Sequence, residues 1–145
     1  MSEEHRYELE SNWVREKIVT IEIDGKSTFE VATPPDFWPE SPKELISPED
    51  LFLASAVSCY GVSLSGVSKR FHAEFTTFSI SGEGTLVKGE FGWEFDKISM
   101  FAKIVVPTEK DRKRMEKAAQ RAHAYCLVTN SMKCTIHLET EIVIG

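Results

Sequence analysis

The chain has 145 residues, 41% hydrophobic and 28% charged, and a net charge of −6. This length suits a single domain over 1–145 with a hydrophobic core of its own, and the composition excludes a disordered chain. The acidic balance, with no basic patch interleaved with aromatics, argues against a nucleic acid or an anionic membrane as the partner.

Met1-Ser2-Glu3-Glu4-His5 is polar and acidic, unlike a secretory leader. The cysteines number three. An odd count without such a leader suits a reducing cytoplasm and thiol chemistry rather than a disulfide framework. Tyr7, Leu9, Ser11 and Trp13 alternate and predict a strand over 7–13. A second strand is expected over 18–23, where β-branched residues cluster. Asp24-Gly25 is a hairpin signal, and a third strand follows over 26–31. Residues 33–48 hold Pro34, Pro35, Pro39, Pro42 and Pro48, which predicts an irregular connection. Phe37 and Trp38 within it are bulky enough to require packing.

Residues 47–70 read as one long helix. Ser47 suits the N-cap, Pro48 the first helical position, and Glu49 and Asp50 the positive end of the helix dipole. Lys69 and Arg70 suit the other end. Leu51 to Ser68 carries no charge, so the helix is expected to be buried on most sides. The run approaches membrane-spanning length, but its five serines and two glycines favour a core or dimer-interface helix.

Extended segments are expected over 73–81 and 85–88, broken at Gly82 and Gly84, and over 91–106, bulged at Gly92. Thr108 then caps a second helix, with Glu109 and Asp111 in its first turn and an apolar stripe through Met115, Ala118, Ala119, Ala122 and Tyr125. Its Lys and Arg residues read as a solvated face. A turn at Thr129-Asn130-Ser131 leads to a last strand over 133–144. The order β-β-β-α-β-β-α-β is an α+β pattern.

Two readings of the cysteines stay open on spacing alone. Cys59 and Cys126 can form a redox pair, in which one thiolate is oxidised to a sulfenic acid and the other condenses with it. Their separation in sequence leaves the distance undetermined, and a small apolar residue in a packed helix is the better reading from spacing. His123-x-x-Cys126 and Cys134-x-x-His137 have a superficial zinc spacing. On a strand, however, Cys134 and His137 face opposite sides, which favours a core cysteine and surface histidines. A cation near Cys59 would favour its thiolate. Arg15, held by Glu49 through a bidentate contact, is one candidate, and an exposed strand-end arginine is its plainer reading.

Ser47-Pro-Glu-Asp-Leu-Phe-Leu-Ala-Ser-Ala-Val-Ser-Cys59 resembles the central helix of the OsmC/Ohr family, the osmotically inducible and organic hydroperoxide resistance proteins. Ala122-His-Ala-Tyr-Cys126-Leu-Val-Thr-Asn-Ser-Met is similar to that family's second cysteine segment. The resemblance implies an OsmC-like α+β fold, with antiparallel sheets packed around two principal helices, and an intertwined homodimer whose active sites use both chains. It implies a thiol peroxidase for organic hydroperoxides, and often hydrogen peroxide, with no metal and no organic cofactor. Cys59 would be the peroxidatic thiolate and Cys126 the resolving thiol. The disulfide they close would be reduced by an external dithiol such as a lipoyl protein. Glu49 matches the family's glutamate, and Arg15 is the best match for its arginine.

Three departures stand out. The glycine-rich stretch around the arginine is absent, Leu127 replaces the proline after the second cysteine, and Cys134 is an extra thiol. They point to a general OsmC-like branch rather than a dedicated organic-hydroperoxide enzyme. The alternative is a non-catalytic module that binds a small hydrophobic or thiol-containing molecule on the same fold.

Overall fold

A computed structural model describes residues 3–145. They form two compact units, one ending at Phe52 and the other spanning Leu53–Gly145. In chain order the elements are β1 (Trp13–Arg15), β2 (Ile18–Ile21), β3 (Phe29–Ala32), α1 (Pro48–Arg70), β4 (Thr77–Gly89), β5 (Gly92–Val106), α2 (Glu109–Ala124), α3 (Leu127–Asn130) and β6 (Thr135–Ile144).

In the first unit β1, β2 and β3 form an antiparallel sheet, with Ile18 opposite Ala32 and Ile21 opposite Phe29. Ile18, Val31 and Ala32 are buried. The strand expected over 7–13 is largely absent: Glu10 bridges to Glu22, and the ladder starts only at Trp13. Tyr7 is 92% exposed and Leu9 57%, so the alternating side chains bury little surface to hold a strand in place. Asp24-Gly25 does turn the chain, with Gly25 at φ +78 and the Lys26 N–H donating to the Ile23 carbonyl. The return strand begins at Phe29 rather than Lys26. In the proline-rich connection the Phe37 and Trp38 N–H groups both donate to the Pro34 carbonyl, and Lys17 Nζ stands 6.0 Å from the Trp38 ring centroid.

The cap of α1 closes reciprocally. Asp50 N–H donates to Ser47 Oγ at 3.1 Å, and Ser47 N–H donates to Asp50 Oδ2 at 2.9 Å. This capping box stabilises the helix start by about 1 kcal/mol. At the other end the Ala73 N–H reaches the Ser68 carbonyl and the His72 N–H the Lys69 carbonyl, with His72 at φ +54. That is a Schellman stop with histidine where glycine is usual.

In the second unit β4 and β5 make a long antiparallel hairpin, from Thr77 opposite Val105 to Gly89 opposite Gly92. β6 lies on the far side of β5 and pairs with it in parallel, from Lys97 opposite Thr135 to Val106 opposite Ile144. The expectation of antiparallel sheets is corrected at this pair. Parallel neighbours need a long crossover, which α2 and α3 provide. Ile98, Met100, Ala102, Ile104 and Val106 alternate into the core, where Met115, Ala118, Ala119 and Ala122 of α2 and Tyr60, Leu64 and Val67 of α1 are also buried.

The breaks expected at Gly82 and Gly84 do not occur; β4 runs through both as one strand. A Cβ at Gly82 would lie 2.6 Å from Val57 Cγ2, and one at Gly84 would lie 2.8 Å from Phe95 Cε1. These glycines allow close approach rather than ending the strand. The bulge expected at Gly92 sits elsewhere: Thr85 pairs with Lys97 and Leu86 with Phe95, leaving Asp96 extra, while Gly92 turns the hairpin at φ +115.

By length and composition α1 is apolar enough to cross a membrane. From Leu53 onward its packing is one-sided. Ala56, Tyr60, Leu64, Val67 and Ser68 are buried, whereas Ala54, Ser58, Val62 and Ser65 form an exposed stripe at helical spacing. The expectation of burial on most sides is corrected accordingly.

Candidate functional site

Cys59 lies in the middle of α1 and is half-buried; Tyr60, the next residue, has no exposure at all. The Tyr60 ring crosses to α2, where its hydroxyl donates to the Ala119 carbonyl at 3.2 Å. Burial first, and the neighbouring Cys126 second, push the Tyr60 phenol up to about 12. Tyr60 therefore stays neutral across the physiological range.

Cys126 is fully buried and occupies the junction between α2 and α3. Its N–H donates to the His123 carbonyl at 3.4 Å. Its own carbonyl accepts from the Asn130 N–H at 3.0 Å and from Thr129 Oγ1 at 3.3 Å. Asn130 Nδ2 also donates to the Ala124 carbonyl. The backbone around this thiol is thus tied on both sides, which fixes where its side chain can go. The turn expected at Thr129-Asn130-Ser131 is this short α3 and its cap. Cys59, Cys126 and Cys134 are all free thiols.

The two charged candidates are placed separately. Arg15 is on β1, half-exposed, with Nη1 3.9 Å from Glu30 Oε2. Glu49 is in the first turn of α1, and its Oε1 is buried with no hydrogen-bond partner among the described residues. A carboxylate oxygen in that condition is costly and calls for a donor.

Cys134 is half-buried just before β6, and His137 is on the exposed side of that strand, opposite Ser99. Among the described residues no group of three or more His, Cys, Asp or Glu side chains is arranged to hold a metal ion. His123 is not the surface histidine the spacing suggested. Its ring stands edge-on to Tyr60, with centroids 6.5 Å apart and planes at 77°, and its Nδ1 is buried and unpaired. Sequence reasoning missed Tyr60 and His123 as part of this cluster. The available signal was a polar-tipped aromatic directly after Cys59 in the uncharged run from Leu51 to Ser68.

A sequence model of the family described as OsmC-like protein matches residues 41–141. The uncharacterized protein YmaD of Bacillus subtilis is 23% identical over 145 residues, covering 95% of this chain and 93% of that protein. An OsmC-like protein of unknown function from Vibrio cholerae shares the fold with a TM-score of 0.84 at 20% identity, covering 95% of this chain and all of its own. An organic hydroperoxide resistance protein from Elizabethkingia anophelis does so with a TM-score of 0.74 at 18% identity, covering 99% of this chain and all of its own.

Proposed function

Because this chain belongs to the OsmC-like protein family, we propose that it is a cytoplasmic, homodimeric thiol peroxidase for organic hydroperoxides, with hydrogen peroxide as a second substrate. The observation that carries this reading is the bond from Tyr60, the residue after Cys59, to the Ala119 carbonyl of α2, the helix that leads directly to the buried free thiol of Cys126. The shared fold with a protein named for organic hydroperoxide resistance supports it.

The chemistry needs neither metal nor organic cofactor. The Cys59 thiolate attacks one oxygen of the hydroperoxide, the O–O bond breaks, and the alcohol leaves after taking up a proton. Cys59 is left as a sulfenic acid. Cys126 then displaces water from that sulfur to close a disulfide, and an external dithiol such as a lipoyl protein restores both thiols.

Glu49 and Arg15 would stabilise the thiolate. Glu49 precedes Cys59 by ten residues on one helix, about 15 Å of rise at 1.5 Å per residue. That is too far for a single guanidinium to serve both residues of one chain. A second copy that contributes one of the groups removes the difficulty and gives Glu49 Oε1 its donor. The exposed stripe of Ala54, Ser58, Val62 and Ser65 supports such a dimer, since small side chains let two helices approach closely.

The test is turnover of cumene hydroperoxide by the reduced protein with dihydrolipoamide. Activity is expected in the parent and absent in Cys59→Ser; equal turnover in both would contradict the reading. One observation favours the binding module instead: Arg15 is engaged by Glu30 rather than by Glu49. Thiol titration after one equivalent of peroxide separates the two, because an enzyme loses two thiols rapidly and a binder loses them slowly and without stoichiometry.

A further inference from the structure

α2 carries six Lys and Arg against three Asp and Glu, in a chain whose net charge is −6. Lys110, Lys113, Arg114, Lys117 and Arg121 recur at three- and four-residue spacing, so they share one face. That face lies away from the buried Met115, Ala118, Ala119 and Ala122, and all five cations but the half-buried Arg114 are exposed. The acids of the helix are engaged elsewhere. Asp111 accepts from Thr108 Oγ1 and from the Glu74 N–H, Glu109 pairs with Arg112, and Glu116 lines a separate open cavity with Gln120 and His123. Lys113, Lys117 and Arg121 form no ion pair among the described residues.

Such a stripe works against its own helix. Lys110 and Arg114, Lys113 and Lys117, and Lys117 and Arg121 are like charges four residues apart, which oppose helix formation where opposite signs would support it. A face that meets only water gains from alternating signs; a face that receives an anionic partner gains from a single sign. Two of the cations are also held in place. Arg114 Nη1 donates to the His72 carbonyl at 3.0 Å, and the Arg121 guanidinium stands 5.4 Å from the Tyr125 ring centroid and 5.8 Å from that of Phe71. Tyr125, 65% exposed, directly precedes Cys126.

We propose that this face of α2 docks an acidic protein that carries the reducing dithiol, a role that rests on the two-thiol reading above. The stripe spans about 16 Å at 1.5 Å per residue and ends five residues before Cys126. A neutral hydroperoxide gains nothing from it. A nucleic acid or an anionic bilayer extends beyond it and meets a chain that is acidic in balance. An acidic patch of similar length on a protein matches it, and docking there brings the carrier's dithiol to the end of α2 that leads to Cys126. In the step served, the dithiol gives up two electrons and two protons and closes to its own disulfide. The S–S bond between Cys59 and Cys126 breaks, and both sulfurs return to thiols.

The test is turnover of cumene hydroperoxide by the full chain with synthetic Cys-x-x-Cys peptides as reductants, bearing glutamate, glutamine or lysine at the same flanking positions. The readout is the ratio of kcat/KM values between peptides, so a variant with a general defect lowers all of them alike. The parent should favour the glutamate peptide over the glutamine peptide by about tenfold at low salt. The two should converge at about 1 M salt, where the Debye length is about 3 Å. Lys113→Glu combined with Lys117→Glu should lose that preference and favour the lysine peptide instead, a gain that misfolding does not produce. Equal use of the glutamate and glutamine peptides by the parent at low salt, or a variant that keeps the parent's preference, would overturn the docking face. So would turnover with dithiothreitol but with none of the peptides. Tighter binding of labelled duplex DNA than of the oxidised glutamate peptide, at the same salt, would overturn it in favour of a nucleic acid. A parent that turns over with neither dithiothreitol nor any peptide would remove the peroxidase reading itself and this role with it.

Discussion

The Tyr60 hydroxyl donates to the Ala119 carbonyl at 3.2 Å, which fastens the middle of α1 to α2, the helix that leads to Cys126. The two cysteine-bearing segments are far apart along the chain, and this bond is one of the contacts that holds them together. A second is the contact between Ser68 Oγ and Met115 Sδ at 3.4 Å, further along the same helices.

Tyr60→Phe should cost about 1 kcal/mol at neutral pH, the usual net worth of one buried hydrogen bond. Its effect should shrink in alkali, for a reason with a definite sign. The folded phenol titrates at about 12, against a value of 10.0 when unperturbed, so the fold keeps a proton that the unfolded chain releases. The stability from this group is full below pH 10 and is lost as pH rises through 12. Urea melts at pH 7 and pH 11 should show the parent and the variant converging. A constant gap would mean that the phenol is not held in this way.

Cys126→Ser should keep the first oxidation and fail at the second. Without a resolving thiol, the Cys59 sulfenic acid persists and, with excess peroxide, gains a second and then a third oxygen. Intact mass spectrometry reads each addition. A variant that still forms an intramolecular disulfide would assign resolution to Cys134 instead.

Gly82→Ala should destabilise the second unit by about 1–3 kcal/mol, because the new methyl meets Val57 across a 2.6 Å gap. Gly66→Ala serves as the control: nothing lies within 4 Å of its added Cβ, and alanine is the better helix former. Thermal melts of the two variants should move in opposite directions. Equal losses would show that α1 does not press on β4 at this point.

Val62→Glu should disrupt the proposed homodimer. Val62 is 71% exposed in the single chain and sits at the middle of the small-residue stripe on α1. A charge buried there without a partner opposes association. Light scattering after gel filtration should give twice the 16.4 kDa chain mass for the parent and the single mass for the variant. A monomeric parent would contradict the dimer.

Much of this architecture was legible in the residues because local chemistry marked it. Ser47, Pro48, Asp50 and Lys69 bracket α1, and Thr108 caps α2 with its hydroxyl accepting from the Asp111 N–H, as those residue types predict. The parallel pairing of β5 with β6 was not legible, since strand direction depends on a crossover and not on periodicity. Gly82 and Gly84 misled for a related reason: their meaning lies in Val57 and Phe95, which only tertiary packing brings near. At the candidate site the cysteines were found through family-like segments rather than spacing. His123 was read as a surface histidine because nothing in a sequence reveals that one ring nitrogen will be buried without a partner.

The most direct measurement is peptide mapping of the protein after one equivalent of cumene hydroperoxide, without reductant. The expected product is one intramolecular disulfide joining Cys59 to Cys126, with Cys134 left as a free thiol. Recovery of Cys59 and Cys126 unlinked, after the peroxide has been consumed, would contradict it.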